Sequence, residues 1–222
     1  MPPPGSAGSL LDKIAVRSHR VSKGAEILSI GWSGRQIVSI GEGIAIRYRL
    51  LPDGGRQIIT FMFPGDACST NIFTAHPVDH SVAAITDVRI DRINHDSMLD
   101  VVKVEPGVHQ ALWAMADEQS TILRDHITSL GRCGTRVRVA ALLYELMERF
   151  DLSLGRPTPI AIPLTQSLLA DAVGVTHIHF NRIIRDMIKC GIVSTRRGVL
   201  FVNNPALLED IARPVLLRLR EH

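Results

Sequence analysis

The stretch THIHFNRIIRDMIK, residues 176–189, gathers side chains able to bind metals, move protons or read nucleic acid. His177 and His179 stand two residues apart. On an α-helix such a pair projects about 200° apart, so the two imidazoles do not converge on one ion; helical metal pairs use i, i+4 spacing. The other polar residues suit a different chemistry. Arg182 and Arg185 donate in the forked geometry that fits guanine O6 and N7, Asn181 does the same for adenine, histidine donates to a base acceptor, and Ile178 offers an apolar contact to a thymine methyl. Phe180, Ile183, Ile184 and Met187 follow the i, i+3, i+4, i+7 spacing of a buried helical stripe. His177, Ile178, Asn181, Arg182, Arg185 and Lys189 then share the other side, a face suited to DNA; for either histidine the alternative is an ordinary surface position.

Such a face needs a second helix to brace it. In LTQSLLADAVG, residues 164–174, Thr165 is placed to cap a helix that Gly174 breaks, Thr176 caps the next, and Gly191 ends it. Two short helices around a glycine turn predict a helix-turn-helix. Leu169, Val173, Val175, Phe180 and Ile183 are apolar where the helices face each other, and Ala170 is small where they cross. Thr165, Gln166 and Thr176, with helix N-terminal amides, are placed to hold phosphates. IVSTRRGVLFV, residues 192–202, alternates as strand, turn and strand, which is a wing with Arg196 and Arg197 at its tip, placed for phosphate or minor-groove contact or as solvated turn residues. The tail from Asn204 reads as an amphipathic helix interrupted at Pro214.

Upstream, residues 20–95 hold brief β-rich runs (AEILSI, RQIVSI, IAIRYRLL, RQIITFMF, HSVAAIT, VRIDRI) punctuated by glycine turns, the texture of a barrel or sandwich. LPDGG, residues 51–55, is the clearest hairpin turn. From Pro106 the apolar spacing becomes helical for about 24 residues. One stripe passes through Leu112, Met115, Gln119 and Ile122, another through Ala116, Leu123, Ile127 and Leu130. Either one stripe covers the barrel and the other meets a second subunit, or the helix is simply buried. Gly131 and Gly134 predict a hinge before a second helix over about 135–150, and a loop or strand pair follows. Residues 1–8 read as a disordered tail, with a short helix over about 9–17.

The 222 residues carry a net charge of +3, with basic residues clustered at 182–197, which favours a polyanionic partner. No apolar run reaches the ~18 residues that span a bilayer, and the N-terminal residues lack the order of a secretory signal, so the expectation is a cytoplasmic protein without membrane association. Cys68, Cys133 and Cys190 are far apart and form no CxxC pair, so they suggest neither a disulfide framework nor a cysteine-rich zinc site but small buried hydrophobes; Cys133 and Cys190 are open to redox modification if exposed.

A glycine-punctuated barrel, a long helix, a hinge and a winged helix-turn-helix, in that order, resemble the Crp/Fnr superfamily of bacterial transcription regulators. The resemblance rests on LPDGGRQIITFMFPGD, ILRDHITSLGRCGTRVRVAALLYEL, LTQSLLADAVGVTHIHFNRIIRDM and RRGVLFVNNP. HFNR at 179–182 is similar to the HVNR of one subgroup's recognition helix. The fold class this implies is α+β: a cyclic-nucleotide-binding-like double-stranded β-helix (jelly-roll) barrel over 9–105, a dimerisation helix and hinge over 106–131, and a winged helix-turn-helix DNA-binding domain over 132–222. It further implies a homodimer whose recognition helices enter successive major grooves of double-stranded DNA, with RNA polymerase as a partner and an effector site between barrel and helix. Carried onto this chain, the base-reading positions are His177, Ile178 and Arg182, with Arg185 nearby, and Thr165, Thr176 and His179 match phosphate contacts.

The chain departs from the family where the effector binds. Cyclic-nucleotide-binding members carry a Gly-Glu pair and an Arg-Ser or Arg-Thr pair, whereas PGDACSTNIFTAHPVDHSVAA has no Gly-Glu and places His80-Ser81 at the arginine pair. A mostly neutral histidine is a poor replacement for a bidentate guanidinium, so cyclic AMP control is not expected. Asp66, Ser69, Thr70, His80 and Ser81 mark the candidate effector region. No cofactor is expected: no cysteine precedes Cys68 to hold an iron–sulfur cluster, and His76, His80 and Cys68 read as loop residues before haem ligands. Two alternatives are a cupin-like metalloenzyme using His76, His80, Asp79 and Glu42, although no HxH or HxxxE ligand cluster occurs on consecutive strands, and a sensor module regulating a partner protein.

Overall fold

The computed structural model describes residues 16–69, 76–154 and 159–216. The tail expected at 1–8 and most of the helix expected over 9–17 lie outside them. Arg17, at the end of that expected helix, instead opens strand β1, Arg17–Val21. Contacts divide the chain into two compact units. The first comprises the described residues through Gly55 with Ile59–Ser120, and the second Arg56–Ile58 with the described residues from Thr121 onward.

In the first unit the strands are β1, β2 (Glu26–Leu28), β3 (Gln36–Glu42), β4 (Ala45–Leu50), β5 (Arg56–Met62, from Ile59 on), β6 (Ala67–Ser69), β7 (Ser81–Ala84) and β8 (Val88–Asn94). They form two four-stranded sheets, ordered β1-β8-β3-β6 and β2-β7-β4-β5. Apart from the β4–β5 hairpin, neighbours in each sheet are not consecutive in the chain, as a jelly roll requires. Side chains alternate across each strand. Val38, Ile40, Val88 and Ile90 of one sheet therefore bury with Leu28, Ala45, Met62 and Val82 of the other, while Ile37 and Ile93 on the first sheet's reverse face pack with Met98 and Val108. Met98 belongs to a helix, His95–Val104, that sequence reading did not find. The LPDGG turn closes by Leu51 N donating to Gly55 O at 2.7 Å, with Gly54 at φ 83°.

The long helix runs from Pro106 to Arg132, 27 residues. It passes through Gly131, and the break falls at Cys133 and Gly134, within the stretch that the two glycines bracket. Its first stripe is covered: Leu112, Met115 and Gln119 are half-buried and Ile122 is buried. Its second stripe opens toward solvent, reaching 70 % exposure at Ile127.

The second unit holds a helix Thr135–Leu154, strand β9 (Ile160–Ile162), helices Gln166–Val173 and His177–Lys189, strands β10 (Val193–Arg196) and β11 (Val199–Val202), and a helix Pro205–Ala212 that stops before Pro214. The wing sheet is three-stranded, ordered β10-β11-β9, one strand more than the hairpin expected. Val139, Leu143, Leu146, Phe150, Leu169, Phe180, Leu200 and Leu208 are among its buried residues. Among the described residues, no helix is long and apolar enough to cross a membrane.

Candidate nucleic-acid interface

The helix-turn-helix is fixed by three local devices. Thr165 Oγ1 accepts from Leu168 N at 3.3 Å, covering an N–H that the first helix leaves without a partner. Gly174 then takes a left-handed conformation, φ 71°, and its N–H donates to Ala170 O; a side chain there would be strained. Thr176 repeats the cap, Oγ1 accepting from His179 N at 3.3 Å. The two helices thus meet through Leu169, Ala170, Val173, Phe180 and Ile183, all buried, and Val175 is half-buried in the turn.

On the second helix the 100° step separates the two faces. Phe180, Ile183, Ile184 and Met187 are buried. Ile178, Arg182, Arg185 and Lys189 fall within about 60° of one another on the opposite side, and all four are exposed. His177 and His179 flank this line on either side, His177 exposed and His179 half-buried, so the sequence's HIH does not form a chelate. Arg182 Nη2 meets His179 Nδ1 at 3.0 Å, Asn181 Nδ2 lies 3.3 Å from the His177 ring, and Arg185 Nε donates to Asn181 O at 3.4 Å. Arg182 and Arg185 have no carboxylate partner among the described residues; Asp186 is taken by Lys189 Nζ at 3.3 Å. Gln166 is half-buried in the first turn of the bracing helix. Arg196 and Arg197 sit apart from this face, exposed on the β10–β11 turn, where Arg197 at φ 50° and Gly198 at φ 79° give the paired positive φ of a tight hairpin. The Arg196 guanidinium lies 5.6 Å from the centre of the Phe201 ring.

The barrel's candidate effector residues are less open. Asp66 Oδ2 accepts from Phe63 N at 2.8 Å, Ser81 Oγ accepts from Ile30 N at 3.1 Å, and Ser69 is buried. Thr70 lies outside the described residues. His80 stands between Asp79 Oδ1 at 3.0 Å and the Cys68 carbonyl at 3.1 Å. Asp79 also pairs with Arg49, and with His80 and Arg49 beside it, its carboxyl is held below the ordinary carboxylate range. Sequence reading missed Arg47. It shares the inward face of β4 with Ala45 and is only 8 % exposed. Its Nη2 donates to the Ala67 and Cys68 carbonyls at 2.9 and 3.4 Å, its Nη1 to Gln119 Oε1 at 3.4 Å, and its Nε has no partner. Burial pulls the guanidinium's pKa down from its ordinary value, and burial pushes the Cys68 thiol up to about 12. The signal was available: period-2 alternation puts residue 47 with Ala45 on the core side, and a charge at an inward register is the informative kind of exception.

The Crp-like helix-turn-helix domain model matches residues 137–211, and the cyclic nucleotide-binding domain model matches residues 18–105. The chain belongs to the Crp/Fnr superfamily. It is a transcription regulator of that type with a helix-turn-helix DNA-binding domain. It is 28 % identical over 171 residues to the nitrogen fixation regulation protein FixK of Bradyrhizobium diazoefficiens, covering 77 % of this chain and 71 % of that one. With the fumarate and nitrate reduction regulatory protein of Vibrio cholerae it shares 23 % over 202 residues, covering 91 % and 81 %. The fold is similar to the solved structure of FixK2 from Bradyrhizobium japonicum, TM-score 0.78 at 23 % identity, over 89 % of this chain and 98 % of that one.

Two expectations about the regulator's side chains need correction or refinement. Cys68 is buried, as expected of a small hydrophobe, whereas Cys133 is half-buried and Cys190 is exposed where the recognition helix ends. The cupin-like set does not assemble: Glu42 pairs with Arg89 at 3.2 Å and Asp79 with Arg49, and among the described residues no three His, Cys, Asp or Glu side chains converge as metal ligands.

Proposed function

We propose that the regulator acts in the cytoplasm as a homodimer, reads an inverted-repeat operator through paired recognition helices, and communicates with RNA polymerase; it catalyses no reaction. In this reading the barrel spans 9–105, the dimerisation helix and hinge 106–131, and the DNA-binding domain 132–222. The observation that carries it is the line of Ile178, Arg182, Arg185 and Lys189 on the exposed side of a helix whose other side is buried. Two of these cations lack an acid partner, and a polyanion supplies one. Thr165, Gln166, Thr176 and His179 at the helix N-termini, and Arg196 and Arg197 on the wing, hold phosphates, while His177, Asn181, Arg182 and Arg185 address bases. The stripe that ends at exposed Ile127 and Leu130 supports a second copy along the long helix. Half-sites then lie about one helical turn, ~34 Å, apart.

The effector, where one acts, binds near Asp66, Ser69, Thr70, His80 and Ser81, and it is neither cyclic AMP nor cyclic GMP. The interior carries Arg47, already bonded to backbone carbonyls, and His80-Ser81 stand where cyclic-nucleotide-binding members carry an Arg-Ser or Arg-Thr pair. One experiment tests both statements: selection of random duplex DNA by the purified regulator at ~150 mM salt, where non-specific phosphate binding is weakened. The expected product is an inverted repeat with half-sites one turn apart, enriched equally with and without cyclic AMP. Enrichment of an unpaired site, or enrichment only when the nucleotide is present, would overturn the corresponding part.

A further inference from the structure

Of the large apolar side chains that the described residues leave exposed, Ile178 is the most exposed, at 79 %. Its position is unusual. It stands in the first turn of the recognition helix at the head of the Arg182, Arg185, Lys189 line, opposite the apolar face of Phe180, Ile183, Ile184 and Met187. An isolated exposed isoleucine is ordinary; one at the head of a line in which Arg182 and Arg185 have no carboxylate partner among the described residues is placed where a polyanion docks, and there it faces whatever apolar group the polyanion presents.

In the major groove only one kind of base edge is apolar, the 5-methyl group of a pyrimidine. Isoleucine has no donor or acceptor, so it cannot read O4 or N4, and its β-branched side chain holds its methyl groups in a nearly fixed direction. The helix rises about 6 Å from Ile178 to Arg182, so the two address different base pairs. The exposed line offers donors and one hydrophobe; its nearest acid, Asp186, is bound to Lys189.

We propose that Ile178 reads the 5-methyl group of a pyrimidine in each half-site. The base there is thymine because of its methyl group and not because of its hydrogen-bonding edge, and 5-methylcytosine restores the contact that cytosine lacks. The regulator is thereby sensitive to cytosine methylation at that position. This rests on the DNA-reading face proposed above.

The test uses the full regulator and the selected operator. Each thymine of the half-site is replaced in turn by uracil, which removes only the methyl group, and at the responsive position cytosine and 5-methylcytosine are compared as well. Burying one methyl group is worth about fourfold in affinity per half-site, or about fifteenfold for a doubly altered operator. The expected result is that thymine exceeds uracil, and 5-methylcytosine exceeds cytosine, each by about fourfold, and that Ile178→Ala abolishes both differences. Arg182→Ala on the same operators separates two failures. If Arg182→Ala weakens binding but no uracil substitution does, or if the methyl effect survives Ile178→Ala, the assignment of Ile178 is overturned, and in the first case its surface belongs to a protein partner. If the selected operator is indifferent to Arg182→Ala too, the reading face itself is overturned.

Discussion

Arg47 in the barrel and Arg182 on the recognition helix both lack a carboxylate partner among the described residues, yet their surroundings are opposite. Arg47 is 8 % exposed and divides its donors between the Ala67 and Cys68 carbonyls and Gln119. Arg182 is exposed and meets only His179, one turn back on its own helix. Removing a cation from water costs several kcal/mol unless an opposite charge compensates, so Arg47 carries a desolvation cost that carbonyl dipoles only partly offset. Arg182 keeps its hydration until a ligand arrives. A polyanion gains from the second and cannot reach the first. Charge at the DNA-binding face is held in reserve, whereas charge in the barrel is already committed to the fold.

The largest effect expected from breaking this contrast comes from the side of the recognition helix that carries no charge. Phe180 is fully buried, and Phe180→Ala should cost about 3–5 kcal/mol of stability through lost burial and a cavity. The neighbouring change Ile178→Ala, at an exposed position two residues away, should stay within about 0.5 kcal/mol. Urea unfolding of both variants checks this; equal losses would mean that the helix does not present the two faces assigned to it.

Next in size is Arg182→Ala. Removing a base-reading arginine is expected to cost about 1–3 kcal/mol of operator affinity and to relax discrimination at one base position, with the unfolding midpoint unchanged. Binding titrations on the selected operator and its single-base variants read both quantities. Affinity that falls uniformly on every sequence would reassign Arg182 from bases to phosphates.

The legibility of these regions in the sequence follows the same division. The helix-turn-helix was readable because its constraints are local: threonine caps, the Gly174 turn and the 3.6-residue stripe all fall within about 27 residues. Most barrel strands were readable from alternation. Strand β1, RSHRV, was not, since all but Val21 are polar and exposed at a sheet edge, and its strand character comes from pairing with β8 about seventy residues on. Strand β6, at three residues, is too short to show a period. Arg47 was missed because its significance depends on Ala67, Cys68 and Gln119, which no local pattern connects to it. No local pattern separates a base contact from a phosphate contact on the reading face, since both use the same exposed donors.

The smallest effect is also the sharpest test of what Arg47 does. Replacing it with methionine keeps most of the volume and removes the charge. The two carbonyls it serves do not lose their last donor: Gln119 Nε2 still donates to Ala67 O at 3.3 Å, and His80 Nε2 still lies 3.1 Å from Cys68 O. No carboxylate is left without its cation, which is the usual source of loss when a buried charge is removed. Arg47→Met should therefore leave the unfolding free energy within about 1 kcal/mol of its starting value or raise it. Arg47→Ala, which also opens a cavity, should fall below Arg47→Met by about 2 kcal/mol or more. A loss from Arg47→Met as large as that from Arg47→Ala would mean that the guanidinium's bonds, and not its bulk, hold β4 to the long helix through Gln119; the desolvation cost assigned to Arg47 would then be outweighed by those bonds.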